Sequence, residues 1–546
     1  MAHISFRRSL SLVALAGLAL FAISVRADDL KSPLKSLELA DGDSVVFLGD
    51  SITHQCLYTQ YVEDYYYTRF PKLRIKFHNA GVGGARARDA LDRFDRDVAA
   101  YKPRYVTVLL GMNDGSYRPY DENTFQTYRR DMTELLAKIR EIDATPVLMT
   151  PTMYDARAAR MRGAKAPAES IELYNATLAY YGAWLRETAV ESGDGFVDMY
   201  GLLNNLTLAA RKTDPDFTMI KDAVHPDPPG QLVMAFALLG DLDSPAIVSE
   251  IRIALRSKEP TAETVGGKLS GLKSAAGGLE FIWAAEALPF LVPSEAEPGA
   301  KMLYVGHSLS REVLVATGLP AEAYELKIDD EPVGVFTAAH LARGVELEEN
   351  DKTPEHFQAA EIARLNKQRN DGPVKQLRNE WSQMQQYYRL KRQAEADPNN
   401  AEAAKNLKQQ AERIEGLEER IAKHEQAAKE IEDKIFEGNQ PAPHKYALSA
   451  VEVATARLRV SLNGKPLAHA DVILEGDGGR RTQGITDAEG KCSLGISEHD
   501  PVVVPGQYRV AIRGNGVPAK YSEAKASGLI FAVVAGQNEF ALELRN

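Results

Sequence analysis

Four short stretches carry residue types that could do chemistry together. Gly49-Asp50-Ser51-Ile52-Thr53 places a hydroxyl directly behind an apolar run. Asn79-Ala-Gly-Val-Gly-Gly84 is glycine-rich, and Gly111-Met-Asn113-Asp114 offers a side-chain amide. Asp222-Ala-Val-His225-Pro226 sets a carboxylate and an imidazole three residues apart. Each has a commonplace structural explanation: a helix N-cap for Ser51, a tight turn for the glycines, an Asx-turn for Asn113. Gly-Asp-Ser and Asp-x-x-His alone are frequent in loops. The glycine stretch lacks the Lys-Ser/Thr ending of a phosphate loop and does not fit the dinucleotide pattern. Taken in order, the four supply what acyl transfer needs: a nucleophile, a base, an acid to orient the base, and N–H donors for an oxyanion.

The elements around them explain how they could meet. Apolar, β-branched runs at Ser44–Leu48, Arg74–His78, Arg104–Leu110, Pro146–Met149 and Phe196–Asp198 read as strands. Between and after them, Leu57–Arg69, Asn123–Ile142, Pro167–Ser192 and a segment from Pro229 read as helices. Alternating strands and helices imply an α/β fold with a parallel sheet covered on both faces. Ligands then bind beyond the carboxyl ends of the strands, where the first three stretches fall. The acid in Asp222-Ala-Val-His225 can accept from one ring nitrogen and leave the other to take the serine proton.

Together the four blocks resemble the SGNH hydrolases, also called the GDSL-type esterase/lipase family, over about residues 42–240. The resemblance implies a flavodoxin-like three-layer sandwich with Ser51 as nucleophile, His225 as base and Asp222 holding the imidazole. It implies an oxyanion hole made by the Ser51 and Gly84 backbone N–H groups and the Asn113 side chain, with no cofactor and no metal. Gly81 and Gly83 would serve the turn, and Asp50 and Asp114 would brace the loops. One departure is local: His54-Gln55 stand where many members have a small or glycine-containing continuation, which would reshape the pocket beside Ser51.

The rest of the chain divides by composition. With 546 residues, 44% hydrophobic and 26% charged, it suits three or four soluble globular units. A net charge of -11 gives no basic field for nucleic acid. Arg7 and Arg8, an apolar run Leu10–Ile23 and Val25-Arg26-Ala27 read as a signal peptide over 1–27, so export to a periplasm or the outside is expected. The hydrolase-like domain spans 42–244. Residues 245–350 read as a small mixed or β-rich domain. Residues 351–440 read as a helical hairpin or coiled coil, started by Thr353-Pro354 and broken at Asp397–Asn400. A seam from Leu407 through Ile414, Leu417, Ile421, His424 and Ala428 to Ile435 marks its second helix. That hairpin would contact a partner or pack on the hydrolase domain. Residues 453–546 alternate between Asn463-Gly464 and Thr486–Gly490 turns and resemble a carboxypeptidase-regulatory-like (transthyretin-like) β-sandwich. Cys56 and Cys492, in separate domains, are expected as unpaired buried thiols. Gly306-His-Ser308-Leu-Ser310 imitates a nucleophile elbow but lacks its final glycine.

These readings converge on an exported serine esterase whose substrate is an ester, with an acetylated polysaccharide foremost. Short-chain acyl esters or lysophospholipids are the rival substrates. A surface interaction protein with an inactive hydrolase domain is the alternative of another class.

Overall fold

The computed structural model describes residues 34–545 except 257–258, 276, 477–479 and 498–499. The proposed leader and its cleavage after Ala27 lie outside the described residues.

Five parallel strands form the first sheet: β1 Ser44–Gly49, β2 Lys76–Gly81, β3 Tyr105–Leu109, β4 Thr145–Met149 and β5 Gly195–Val197, in the order β2-β1-β3-β4-β5. This is the flavodoxin-like doubly wound order, whose direction reverses beside β1. Strands β1 and β3 are buried at every position, as continuous apolar runs covered on both faces must be. Register brings the strand ends level: Gly49 faces Gly81 on one side and Leu109 on the other. The turns after β1, β2 and β3 therefore share one rim.

Helices cover both faces. α1 Ser51–His54 and α2 Leu57–Arg69 follow β1; α3 Ala87–Asp92 follows β2; α4 Glu122–Glu141 follows β3; α5 Ala168–Ser192 follows β4; α6 Pro228–Asp241 ends the unit. Val45 and Phe47 point to the face that carries α2 and α6, whereas Val46 and Leu48 point to the one that carries α4 and α5. This is the period-two alternation of a strand between two helical layers.

The next part is built from two sheets. One has the order Val345–Glu346, Arg311–Thr317, Ile247–Arg256, Glu259–Val265. The other has the order Glu331–Thr337, Ala323–Ile328, Pro443–Val451, Gly278–Ala285, Gly267–Ala275. Ile251, Leu314, Phe281, Trp283, Leu326 and Tyr446 share their core. Pro443–Val451, which falls outside every element expected from the sequence, is the middle strand of the second sheet. The helices before it are thus an insertion that leaves this β unit and returns to it.

The insertion holds four helices rather than two: α7 Pro354–Arg369, α8 Lys375–Ala396, α9 Ala401–Arg413 and α10 Leu417–Gly438. The first extra break falls at Gly372-Pro373, where Gly372 leaves helical geometry and the proline has no N–H to give. The second falls at Gly416, in the left-handed conformation at φ 67°. The seam is covered by this same chain. Leu417 and Ile421 join Leu377 and Trp381 in the core on one face of the α/β unit, and Ile435 joins Ala359 and Ile362 on the other. His424 is half-buried.

α2 is consequently enclosed, with every residue from Tyr58 to Arg69 buried. Its polar side chains are met from the insertion. Asn366 Nδ2 donates to Asp64 (2.8 Å), Asn370 Nδ2 donates to Glu63 (2.7 Å), and Arg369 pairs with Glu63 at 3.4 Å. Buried polar groups require such partners.

The C-terminal region has two four-stranded sheets. One contains Lys465–Pro466, Ala454–Leu462, Lys491–Leu494 and Gly536–Leu544; the other contains Arg481–Ile485, Asp471–Gly476, Gly506–Arg513 and Ile530–Val533. Leu458 and Val460 of one meet Val472, Leu474 and Val510 of the other in a common core. Cys56 and Cys492 are both free and buried. Among the described residues, no helix is long and apolar enough to cross a membrane.

Candidate active site

Ser51 opens α1, and Asp50 caps that helix by accepting from Ile52 N–H at 2.9 Å. Glycines let the short helix sit low over the strand ends: a Cβ on Gly81 would lie 2.4 Å from the His54 nitrogen. Gly81 therefore serves close packing, where a turn role was expected. Gly83 and Gly84 do form the turn, closed by Ala85 N–H donating to Val82 O at 3.1 Å, with Gly84 at φ +67°. A left-handed third residue is the mark of a type II turn.

The last loop delivers its pair to the same rim. Ser51 Oγ lies 2.8 Å from His225 Nε2, and His225 Nδ1 lies 2.6 Å from Asp222 Oδ2. A carboxylate only accepts, so Nδ1 carries the proton and Nε2 is left free to take the serine's. Asp222 Oδ1 accepts from the backbone N–H groups of Val224 (2.9 Å) and His225 (2.7 Å). Burial pushes the Asp222 carboxyl up, but the His225 amide, the His225 ring and the Val224 amide outweigh it and hold it below its ordinary value. Ala223, between them, adopts φ 78°, a costly value for a residue with a Cβ and of the kind concentrated at functional sites. The His225 and Asp222 side chains are about one-third and two-fifths exposed, so the relay opens to solvent.

Asn113 lies at this rim, but its amide is engaged. Nδ2 donates to Asp50 Oδ2 (3.2 Å) and to Ala85 O (3.1 Å). Asp50 and Asp114 are buried, and burial pushes each carboxyl up to about 7. Asp114 Oδ1 accepts from Ala87 N–H at 2.9 Å, fixing the start of α3. Both acids thus brace backbone, as expected. Among the described residues, the Ser51 and Gly84 N–H groups have no protein acceptor. Also among the described residues, no three His, Cys, Asp or Glu side chains converge as metal ligands.

Three contributors went unnoticed in the sequence. Tyr117 Oη donates to Asn113 Oδ1 at 3.2 Å and so sets which way that amide faces. It stands in a strained turn, Ser116 and Tyr117 both having positive φ. Gln231, fully buried on α6, ties the two halves of the relay: Nε2 donates to Gln55 Oε1 (2.8 Å) and Pro226 O (3.3 Å), while Oε1 accepts from Tyr58 N–H (3.1 Å). Arg93, also buried, donates to Gly49 O at 3.3 Å. None sits in a short motif. The departure at His54-Gln55 now has a physical account. Gln55 is the partner of Gln231, and His54 is half-buried, with desolvation and then the Arg378 charge pushing its ring down to about 4. The Ser308 imitation is structural: Ser308 Oγ donates to Leu303 O, and the fully buried Ser310 accepts from Phe290 N–H.

The segment that carries this rim is similar to known proteins. Residues 47–233 match the GDSL-like Lipase/Acylhydrolase family. This chain is an ester hydrolase. An acetylxylan esterase of Geobacillus stearothermophilus is 25% identical over 229 residues, which are 38% of this chain and 96% of that one. A solved structure of a gut microbial diltiazem-metabolizing enzyme is 26% identical with a TM-score of 0.66, and the match covers 77% of this chain and all of that one. The similarity to the latter thus extends well beyond residues 47–233. An uncharacterized lipoprotein of Bacillus subtilis (strain 168) is 32% identical over 74 residues, 13% of this chain and 30% of its own length.

Proposed function

We propose that this hydrolase is an exported serine esterase that removes small acyl groups, foremost acetyl groups, from extracellular glycans through an acyl-enzyme on Ser51. The observation that carries the reading is the unbroken relay from Ser51 Oγ through His225 to Asp222, with both contacts within 2.8 Å. Ser51 Oγ attacks the ester carbonyl as its proton passes to His225 Nε2, and Asp222 stabilises the imidazolium. Ser51 and Gly84 N–H groups receive the oxyanion, joined by Asn113 once its amide turns from Asp50 and Ala85 to the ligand. Collapse expels the alcohol, which takes the proton from His225. Water then attacks the acyl group, again giving a proton to His225, and releases the acid and free Ser51.

The acetylxylan esterase supports an acetylated polysaccharide as substrate, and the lipoprotein relative is compatible with export. The C-terminal pair of sheets is read as an accessory, regulatory-like sandwich. A second reading rests on the relative that spans the accessory parts, a diltiazem-metabolizing enzyme: a small-molecule ester would be the substrate. Ser51→Ala should abolish both p-nitrophenyl acetate turnover and labelling by a fluorophosphonate probe, and retained turnover refutes the assignment. Acetate release from acetylated xylan, set against aryl acetates and against esters of increasing acyl length, separates the substrates. A preference for long chains sinks the glycan reading.

A further inference from the structure

We infer that the helical insertion is part of the oxyanion machinery, with Gln385 and Arg389 of α8 as the positioning residues that aim the Gly84 N–H. The inference rests on the proposed role of Gly84 as an oxyanion donor. Gln385 Nε2 donates to Gly83 O at 3.1 Å, and Arg389 donates to Gly84 O at 2.6 Å, across more than three hundred residues of sequence.

The first contact matters because of peptide geometry. Gly83 C=O and Gly84 N–H belong to one planar trans unit, so they point in opposite directions. Holding the oxygen toward α8 sends the hydrogen the other way. This same unit joins the two central residues of the Val82–Ala85 turn. Types I and II of such a turn differ mainly by a rotation of that unit of roughly 180°. Gly83 and Gly84 both tolerate either form. The space where their side chains would stand is open: a Cβ on either would meet no atom within 4 Å. A flip would present a carbonyl oxygen where an anion must form. The Gln385 hydrogen bond is what opposes it, and donation to the carbonyl also polarises the N–H at the far end of the unit.

The clamp is itself firmly held. Gln385 is buried, and its Oε1 has no partner, so exchanging the amide's ends would set two carbonyl oxygens against each other. Arg389 also grips both oxygens of Asp89 at the start of α3 (3.0 and 2.6 Å), and Arg392 adds a third contact at 2.8 Å. Burial pushes the Asp89 carboxyl up, but the two arginines outweigh it and hold it below its ordinary value. Trp381, one turn earlier on α8 and buried, fixes the helix to the sheet's core.

The test compares steady-state kinetics of the full-length enzyme and its variants on p-nitrophenyl acetate. Gln385→Met should lower kcat about 10- to 100-fold, with KM within about twofold, because a misplaced donor is felt only when charge develops. Its affinity for an aryl trifluoromethyl ketone, which forms an oxyanion on the serine, should fall in parallel. Arg420→Gln, which breaks the Arg420–Glu380 pair inside the insertion, should leave kcat unchanged and so controls for loosening of the helices. A Gln385→Met kcat within twofold of wild type, alongside an inactive Ser51→Ala, overturns the positioning role alone. If Ser51→Ala also keeps wild-type turnover, the serine-esterase reading falls and takes this one with it. Should Gln385→Met not fold, Arg389→Met, at a one-third-exposed side chain, decides by the same criteria.

Discussion

The two sides of the candidate active site are secured in different ways. Ser51, Asp222 and His225 are set by the α/β unit alone: one strand end, one last loop, and Gln231 on α6 joining them. The carbonyls of Gly83 and Gly84 receive their side-chain hydrogen bonds from α8, in the insertion. The first arrangement is local, so its residues cluster into short motifs. The second is tertiary, and its residues lie mid-helix among ordinary polar neighbours. The contrast teaches that the reactive groups and their electrostatic support can be encoded at different ranges in one chain. It also gives the insertion a reason to be helical, since a stiff α8 presents Gln385 and Arg389, one turn apart, to consecutive carbonyls.

The contrast can be broken or sharpened experimentally. The largest effect is expected on the local side. Asp222→Asn should cut kcat by on the order of 10³–10⁴, because the asparagine favours the wrong imidazole tautomer. Stopped turnover assays will show it, and a loss under tenfold would mean that Asp222 does not orient His225. Next, Gln231→Leu leaves the Tyr58 N–H buried without a partner and removes the donor to the exposed Gln55. It should cost about 1–3 kcal/mol of stability and lower kcat by roughly tenfold. Denaturant melts and kinetics measure both, and a change in stability without a change in kcat would restrict Gln231 to a structural role.

A smaller effect is expected at the boundary between the two sides. Tyr117→Phe frees Asn113 Oδ1 from its donor and should lower kcat about three- to tenfold, as loss of one hydrogen bond of about 0.5–1.5 kcal/mol allows. The melting temperature should stay constant, because the ring is 38% exposed. An unchanged kcat would remove Tyr117 from the positioning chain. The smallest effect lies outside the site, in the β unit that carries the insertion. Burial raises Glu348 from 4.5 to about 7. The folded state thus holds its proton more tightly than the unfolded one. The stabilisation is complete below about pH 4.5 and is lost as pH rises through about 7. Comparing melting temperatures of wild type and Glu348→Gln across that window isolates the group, and parallel curves would contradict the shift.

Much of the α/β unit was legible because its strands are unbroken β-branched runs and its chemistry sits at their ends. Leu57–Arg69 was readable as a helix, but not as an enclosed one. Gln60, Glu63 and Asp64 look like a solvent face until Asn366, Arg369 and Asn370 are known to meet them. Gly372-Pro373 was an available sign of the first extra break in the insertion, whereas Ile414 masked the second by continuing the seam. Pro443–Val451 was overlooked because only Tyr446 and Leu448 give it an apolar alternation, and its neighbours Gly278–Ala285 and Ala323–Ile328 lie more than a hundred residues earlier. Gln385 and Arg389 carried no signal, since their meaning depends on which carbonyls they reach.

The return strand Pro443–Val451 has a consequence for how the molecule comes into being. During synthesis the stretch that bears Ser51 emerges first, yet Tyr67 O and Pro71 O wait for Asn439 and Gln440 to supply their donors. Nascent chains halted before that point would leave the tyrosine-rich helix uncovered and open to aggregation. Full coverage of that helix therefore requires residues as far along the chain as Gln440.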